Sequence, residues 1–429
     1  LNKAESQLGW YLNGGTGASH DLSSFGTPTD KANAGLGLEK TFGFGGRVNV
    51  DGTYVYQDSE FTISPQIPNP YASTNFDIKY IHPLGRGAGN PVYQRGVEDA
   101  KAVKIISQAN WQENRDEISK QIIDLFFGLA KTNAQIANTE LAINRAKRLK
   151  AYTSKNIKLG VSEKKDMLQA EARLRSSVAD KRSLQVIKER QHIALNRVSA
   201  FPWDLRTKLA TNITIKNIKP GDFDELFDQV KNYSGSLKRS KANITIAESI
   251  IERSRDLNRD DFNLTLSAGS RNRNGQVSDG DFNQSDYAAG IQLEYRRALD
   301  RQGLEGELTQ AQINRSIGYQ EIRAITLDLG YQLSTLLSEI QETKISLANS
   351  KKRLQAENKK IDEATKRYRN GRADTAELLL FESDLRFAEF TVANKKLELK
   401  RISARFDLLT GGLWQRINAS NEPVGGLGK

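Results

Sequence analysis

The stretch KAVKIISQANWQENRDEISKQIIDLFFGLA at residues 101–130 lies within a longer segment, residues 92–201, that contains no proline. Apolar residues in this segment recur mostly three, four or seven positions apart, the spacing of one buried stripe on a helix. The residues between them are mainly Lys, Arg, Glu, Gln and Ala, which favour helices. Gly160 interrupts the pattern and is a natural helix stop. The segment therefore predicts a hairpin of two helices, the first of roughly 60 residues and about 90 Å long.

This helical hairpin has a counterpart later in the chain. A second proline-free helical pattern covers residues 303–367, turns at Asn370-Gly371 and continues over residues 375–409. Gly160 and Gly371 are 211 positions apart, and residues 76–80 match residues 291–295 at an offset of 215. Strands and turns that recur in step indicate an internal duplication, with two structural repeats in each chain.

The segments that precede both hairpins differ in character from the helices. Residues 1–91 are rich in Gly, Asn, Thr and aromatic residues, and their apolar and polar residues alternate. The alternation predicts four strands of about 8–11 residues here and two more in residues 261–302. Residues 15–33 and 58–73 are predicted to form long loops, and residues 43–46 a short turn. Alternating long and short loops are typical of an outer-membrane β-barrel, although a soluble sandwich also fits the strand pattern.

These patterns divide the chain into six segments. Residues 1–91 and 261–302 hold the strands of the first and second repeats, and residues 92–201 and 303–410 hold their long helical hairpins. Residues 202–260 form an equatorial connector with short helices and a short extended piece around Ile213, Ile215 and Ile218. Residues 411–429 are predicted to form a loose C-terminal tail.

Composition excludes several classes of function. The chain has no cysteine, so it has no disulfide, thiol nucleophile or cysteine-ligated metal. It contains no apolar run of about 18–20 residues, so any membrane must be crossed by strands. Three histidines lie in different elements, and no phosphate-binding glycine loop or nucleophile motif is present. We therefore predict no enzyme, no cofactor and no metal site. The net charge of +11 is interleaved with acidic residues, which indicates solvated helix faces rather than a nucleic-acid site.

Short motifs at the turns resemble those of the TolC-type outer-membrane channels, which serve efflux pumps and type I secretion. Residues 82–87 read HPLGRG and are similar to the family's QPLLRG element. Residues 368–371 read YRNG, with Glu377 six positions on, and resemble the second helix-turn motif of the family. Residues 158–160 and 166–170, KLG and DMLQA, resemble the first. The resemblance covers nearly the whole chain. It rests on the order and duplication of the motifs rather than on any one of them.

The resemblance implies an α+β membrane protein that works as a homotrimer. Its strands would form one shared outer-membrane β-barrel, continued by a long periplasmic α-helical barrel. Reference members of the family supply four strands per protomer, whereas this sequence predicts six. The trimer would then hold either 18 strands, or 12 with one hairpin outside the barrel. The family also usually has a helix before the first strand, where only about five residues precede it here, so that helix is expected to be trimmed or absent.

The family closes its channel at the helix turns through a network of hydrogen bonds and salt bridges. By motif position, the implied gate and aperture residues are Asp166, Tyr368, Arg372, Glu377 and Leu380. The Glu377 carboxylate, repeated three times in a trimer, would form an acidic ring that selects cations. Asp166 and Tyr368 would belong to the network that holds the channel shut.

The same turns are where the family meets its periplasmic adaptor. The residues predicted to make this contact are Lys158, Gly160, Arg369, Asn370 and Gly371. Basic residues around them favour an acidic partner surface, or they simply keep an exposed turn soluble. A separate strand-to-helix turn is predicted at His82, Pro83, Gly85 and Arg86.

Taken with the resemblance, the sequence predicts a passive exit duct in the outer membrane of a Gram-negative-type bacterium, extending into the periplasm. Its partners would be outer-membrane lipid, a periplasmic adaptor and an inner-membrane transporter of the RND, ABC or MFS type. A structural coiled-coil protein of the cell envelope is the alternative, and it leaves the strand blocks unexplained. The cargo, whether drug, metal or polypeptide, stays open.

Overall fold

A computed structural model describes residues 6–22, 28–60, 66–160, 162–206, 223–370 and 372–420. The strands are β1 (Trp10–Leu22), β2 (Pro28–Thr41), β3 (Arg47–Ser59), β4 (Tyr71–Pro83), β5 (Asp261–Val277) and β6 (Gly280–Arg296). The helices are α1 (Pro91–Lys158), α2 (Lys164–Val198), α3 (Phe223–Tyr233), α4 (Gly235–Leu257), α5 (Gln302–Arg369), α6 (Thr375–Leu409) and α7 (Gly412–Ser420). A short 3₁₀ turn, Ser6–Leu8, precedes β1.

All six predicted strands are present, and they join in one antiparallel sheet in the order β1-β2-β3-β4-β5-β6. Direct cross-strand pairing gives the sheet two different faces. One row on the apolar face contains Leu12, Leu38, Val50, Ile78, Ala268 and Ala289. The adjacent row on the polar face contains Asn13, Gly37, Asp51, Asp77, Gly269 and Ala288. The period-two pattern in the sequence therefore runs in register across the whole sheet.

The strands are longer than their sequence pattern predicts. β1 to β4 have 13 or 14 residues, and β5 and β6 have 17 each. The prediction of a loop over residues 15–33 is wrong, because residues 15–22 continue β1 and residues 28–33 begin β2. Apart from Leu22 and Pro28 at the strand ends, side chains there are small or polar on both faces, so alternation fades although backbone pairing continues. Residues 23–27 and 61–65 lie outside the described part of the chain.

The helical hairpins confirm the internal repeat. α1 and α5 each contain 68 residues, and α2 and α6 each contain 35. A shift of 211 positions carries the first and last residues of α1 and α2 onto those of α5 and α6. Pro91 occupies the first position of α1, where its missing N–H is not needed. The Asn90 side chain accepts a hydrogen bond from the Tyr93 backbone N–H at 3.2 Å and caps that helix.

The C-terminal region differs from the predicted loose tail. Residues 412–420 form helix α7, which is held at Trp414. The indole Nε1 donates to Asp116 at 2.9 Å, and the Arg115 guanidinium lies 4.1 Å from the indole ring centre. Trp414, in a segment rich in glycine, thus contacts two residues of α1. Residues 421–429, and the predicted extended piece at Ile213, Ile215 and Ile218, lie outside the described residues.

The chain divides into two compact units. The first comprises residues 1–108 and 238–323 and contains the sheet. The second comprises residues 109–237 and 324–429 and contains the helical turns. The second unit holds two apolar clusters, of which one surrounds Leu333 and Ile402. The other lies next to the turns and is called the tip core here: Leu149, Ala170, Ile361, Ala364, Tyr368, Leu378 and Leu385.

Candidate functional site at the helix turns

The turns of the two helical hairpins lie together. Gly160 follows α1 with a φ of +74°, a conformation that costs glycine little and other residues more. Its backbone N–H donates to the Ile157 carbonyl at 3.0 Å and closes the helix end. The Tyr152 hydroxyl donates to the Arg369 carbonyl at 3.4 Å, which connects α1 to the end of α5. Gly371, the predicted counterpart of Gly160, lies outside the described residues.

Tyr368 is the central residue of the tip core. Its side chain is 7% exposed, and its ring centre lies 5.5 Å from that of Tyr152. Its hydroxyl hydrogen-bonds the Thr375 hydroxyl at 2.9 Å and the Thr153 hydroxyl at 3.3 Å. Both threonines are almost fully buried. One phenol therefore ties together the end of α5, the start of α6 and the last turns of α1.

Asp166 and Tyr368, the two residues expected to form the latch, have separate hydrogen-bond partners within one chain. Asp166 lies in the first turn of α2, and its Oδ2 accepts from the Glu163 backbone N–H at 3.1 Å. This is the reciprocal arrangement of a capping box, which satisfies a free N–H at a helix start. A latch through Asp166 thus stays a prediction about contacts between protomers.

Glu377 forms an ion pair that the motif comparison missed. Its Oε1 lies 3.3 Å from Nη1 of Arg367, and the Arg367 Nη2 also donates to the Arg372 carbonyl at 3.3 Å. The Glu377 backbone N–H donates to Asp374, which caps α6. An Arg367 guanidinium beside each Glu377 offsets the charge of the predicted acidic ring. Leu380 is 60% exposed, one turn farther along α6.

The outer surface of the turns is basic. Lys158, Arg369, Asn370 and Arg372 are all exposed. Four further basic side chains around the same turns are exposed as well: Lys155, Lys164, Lys165 and Arg367. Two of these charges are partly offset, because Lys165 lies 3.0 Å from the Glu163 carboxylate and Arg367 is paired with Glu377. The surface therefore suits an acidic partner.

A layer of ion pairs lies beside the tip core and joins three helices. Arg145 of α1 donates to both carboxylate oxygens of Glu389 on α6, at 3.2 and 3.0 Å. Arg386 of α6 donates to Asp180 of α2 at 3.3 Å. Burial raises the pKa of the Glu382 carboxyl, against the opposing effect of nearby arginines. Burial also lowers the pKa of Arg173, with Arg386 adding repulsion.

Glu382 and Glu389 are expected to affect stability in opposite directions. A raised carboxyl pKa stabilises the fold below the ordinary Glu pKa of 4.5, and this contribution is lost as pH rises through the raised value. Glu382→Gln should therefore raise the melting temperature at pH 7 by a few degrees and flatten its pH dependence. Glu389→Gln, the matched control, should lower stability by about 1–3 kcal/mol, because it disrupts the two hydrogen bonds that Arg145 donates to the carboxylate. Thermal melts of both variants between pH 4 and pH 8 check this, and equal behaviour would contradict it.

The predicted strand-to-helix turn begins later than expected. His82 and Pro83 are the last residues of β4, and the connection to α1 covers residues 84–90. The Gly85 backbone N–H donates to the Phe262 carbonyl at 3.1 Å, and the Arg86 side chain lies 3.4 Å from Asp261. β4 extends this far because β5 supplies pairing partners, with His82 opposite Leu264 and Pro83 opposite Asn263.

The structure adds residues to the site that motif comparison did not find. Thr153 and Thr375 were not predicted, since an isolated threonine in a helix carries no local signal. Arg367 is one of the basic residues around the turns, and nothing in the sequence indicates its pairing with Glu377. Asp374 could have been found, because Asp374 and Glu377 have the spacing of a helix N-cap and its third residue.

Comparison by sequence alone finds no relative. No family model matches this sequence, and no curated protein is similar to it in sequence. None of the helices in the described ranges is long and apolar enough to cross a membrane.

Solved structures, in contrast, match nearly the whole chain. The outer-membrane channel OprN is 15% identical with a TM-score of 0.68, over 96% of this chain and 84% of that chain. The outer membrane protein VceC of Vibrio cholerae is 16% identical with a TM-score of 0.66, over 96% and 89%. The CmeC outer membrane channel of Campylobacter jejuni is 14% identical with a TM-score of 0.65, over 98% and 83%. The chain therefore has the fold of the TolC-type outer-membrane channels.

Proposed function

We propose that this protein is the outer-membrane channel of a tripartite efflux pump or a type I secretion system. The observation that carries the proposal is the match of almost the entire chain, sheet and helices together, to solved outer-membrane channels. A structural coiled-coil protein would leave the six-stranded sheet without a role. In this proposal the channel is a passive homotrimer, and partner proteins supply the energy.

The sheet is suited to the outer membrane. Its apolar face carries Leu12, Leu36, Leu38, Ile78 and Ile291, all of them well exposed. The same face carries aromatic side chains nearer the strand ends that adjoin the helices, at Trp10, Tyr80 and Tyr295, and others farther along the strands, at Tyr54, Tyr56 and Tyr287. Membrane barrels carry aromatic girdles at two levels. The apolar face would contact outer-membrane lipid, and the polar face would line the lumen.

The helices would extend into the periplasm, with the turns at the site of gating and partner contact. Eight basic or amide side chains exposed there favour an acidic adaptor surface. Docking through such charges weakens as salt rises. The adaptor would connect the channel to an inner-membrane transporter of the RND, ABC or MFS type.

The gate is proposed at the tip core and the ion pairs beside it. The tyrosine–threonine group around Tyr368 holds the ends of α1, α5 and α6 together in the closed state. Opening would require the contacts among these three helices to break together, because one buried hydroxyl joins all three. Lys158, Gly160, Arg369, Asn370 and Gly371 would meet the adaptor, and Asp166 would contribute contacts between protomers.

Ion selectivity of the purified trimer in planar bilayers tests the proposal. Glu377→Gln should reduce the preference for cations, because Arg367 then loses its counter-charge at the aperture. Arg367→Gln, its matched control, should increase the cation preference. Reversal potentials across a salt gradient measure both effects. A protein that forms no channel would refute the function, whereas channels with unchanged reversal potentials in both variants would refute only the aperture assignment.

A further inference from the structure

Both edges of the sheet lack a neighbouring strand. Among the described residues, β1 pairs only with β2, and β6 pairs only with β5. All of β1 is exposed, and Ile291 and Tyr287 of β6 are 80% and 84% exposed. Edge N–H and C=O groups without partners are not tolerated in hydrocarbon, where every backbone group must be paired. A sheet of this kind needs a strand at each edge.

The strand ends at the edge of the sheet where β4 and β6 lead into the helices, called the helix-side ends here, are not level with each other. One row of directly paired residues crosses all six strands: Trp10, Lys40, Val48, Tyr80, Leu266 and Ile291. β1 begins on this row, whereas β2 and β3 extend one residue past it. β4 extends three residues past it, and β5 and β6 extend five. The strand ends therefore step by five residues from one edge to the other.

A step of this kind is the stagger that closes a tilted barrel. If the helix-side ends of all strands lie at one membrane boundary, Ile291 of β6 cannot pair with Trp10 of the next copy. Its partner must lie farther along β1 than Trp10. The shift must be an even number of residues, because an odd shift would place apolar side chains beside polar ones. The even values on either side of the observed step are four and six.

Strand tilt decides between these values. A shift of six residues over six strands climbs about 20 Å over about 29 Å of sheet, a tilt of about 35°. A shift of four gives a tilt of about 25°. Strands in closed barrels tilt by about 35–45°, so a shift of six fits and a shift of four does not. A shift of eight also falls in this range, at about 42°, but it leaves residues 10–12 of β1 unpaired and lies farther from the observed step of five residues.

We propose that β6 of one copy pairs with β1 of the next copy, with Ile291 opposite Thr16. This register rests on the proposed function, which supplies three copies, and it closes the trimer as one barrel of eighteen strands. Residues 11–22 then pair with residues 285–296, which covers almost the whole of the β1 edge. The opposite shift would place Ile291 against a residue that precedes β1.

The register keeps both faces continuous across the boundary. On the apolar face, Ala289 meets Ala18 and Tyr295 meets Leu12. On the polar face, Gly290 meets Gly17. All six strands of each copy belong to the barrel wall, because the β2–β3 hairpin is paired on both sides: β2 pairs with β1 over thirteen residues and β3 with β4 over eleven. An eighteen-stranded barrel is about one and a half times as wide as a twelve-stranded one, since diameter grows with strand number.

Engineered cysteine pairs test this register in a chain that has no cysteine of its own. Ala289→Cys with Ala18→Cys, and Ala288→Cys with Ser19→Cys, place directly opposite residues on the two faces. Both faces are needed, because only one of them presents the closer, non-hydrogen-bonded pairs. After oxidation of the purified trimer, at least one pair should give covalent trimers on a denaturing gel. Each single-cysteine variant should run as a monomer.

Two control pairs fix the register. Ala289→Cys with Thr16→Cys corresponds to a shift of four, and Ala289→Cys with His20→Cys to a shift of eight. Diagonal neighbours lie about 7–8 Å apart, too far for ready disulfide formation, so these pairs should react several-fold less. A native trimer in which a control pair reacts best, or no pair reacts, would overturn the register and leave the proposed function intact. A protein that is monomeric in native mass measurements would overturn both.

Discussion

Tyr368→Ala should loosen the helix turns and produce channels with a larger conductance than wild type. The substitution removes a buried aromatic ring from the tip core and leaves the hydroxyls of Thr153 and Thr375 without their shared partner. Replacing a buried aromatic residue with alanine costs about 3–5 kcal/mol. We expect a lower melting temperature of the helical signal, and single-channel recordings at fixed salt should show larger openings.

Two further variants distinguish the contribution of the Tyr368 ring from that of its hydroxyl, and both from the effect of any substitution near the turns. Tyr368→Phe keeps the ring and should cost about 1–3 kcal/mol, the penalty of unpaired buried hydroxyls. Leu380→Ala lies on α6 at an exposed position and should change stability by no more than about 0.5 kcal/mol. If Tyr368→Ala matched Leu380→Ala in both melting and conductance, the assignment of Tyr368 to the closed state would be wrong.

Gly85→Ala should prevent the sheet from forming correctly. A methyl group on this residue would lie 2.3 Å from the Asp260 carbonyl oxygen and 3.1 Å from the Phe262 backbone nitrogen. Neither atom can move alone, because both belong to the chain that enters β5. Backbone N–H groups of Leu84 and Gly85 also donate to the Phe262 carbonyl, at 2.7 and 3.1 Å. The collision would separate β4 from β5 at a cost of about 3 kcal/mol.

The measurement is the yield of folded protein and its melting temperature, with Gly96→Ala as the matched control. Gly96 lies in α1, where an added methyl group meets no heavy atom within 4 Å. Alanine at that position should stabilise the helix by about 0.5–1 kcal/mol. Wild-type yield and melting for Gly85→Ala would show that the turn after β4 tolerates a side chain.

The fold was largely predictable because its signals are local. Periods of 3.6 and 2 distinguish helices from strands over a few residues, and the repeat was visible from Gly160 and Gly371 without any structure. Strand lengths were underestimated, since residues 15–22 pair through the backbone while their side chains carry little alternation. Helix α7 was missed because its stability comes from Trp414 on Asp116, a contact between residues 298 positions apart.

The site was predictable in place but not in its contacts. Motif position brought Tyr368 and Glu377 to the helix turns, but it did not identify their partners within the chain. The structure pairs Glu377 with Arg367 and buries Tyr368 against Thr153. Thr153 and Tyr368 are 215 positions apart, so no local spacing in the sequence records that they meet.

The sequence by itself determined which residues form helices, which form strands and which side of each strand is apolar, because these properties follow from periodicity along the chain. Only the tertiary structure decided that all six strands join one sheet, with ends that step by five residues from β1 to β6. Strand order and stagger depend on hydrogen bonds between backbones, which are the same for every residue type except proline. The pattern of side chains therefore requires only that register shifts be even, and it leaves open the strand order and the size of the stagger, which set how copies of the chain meet.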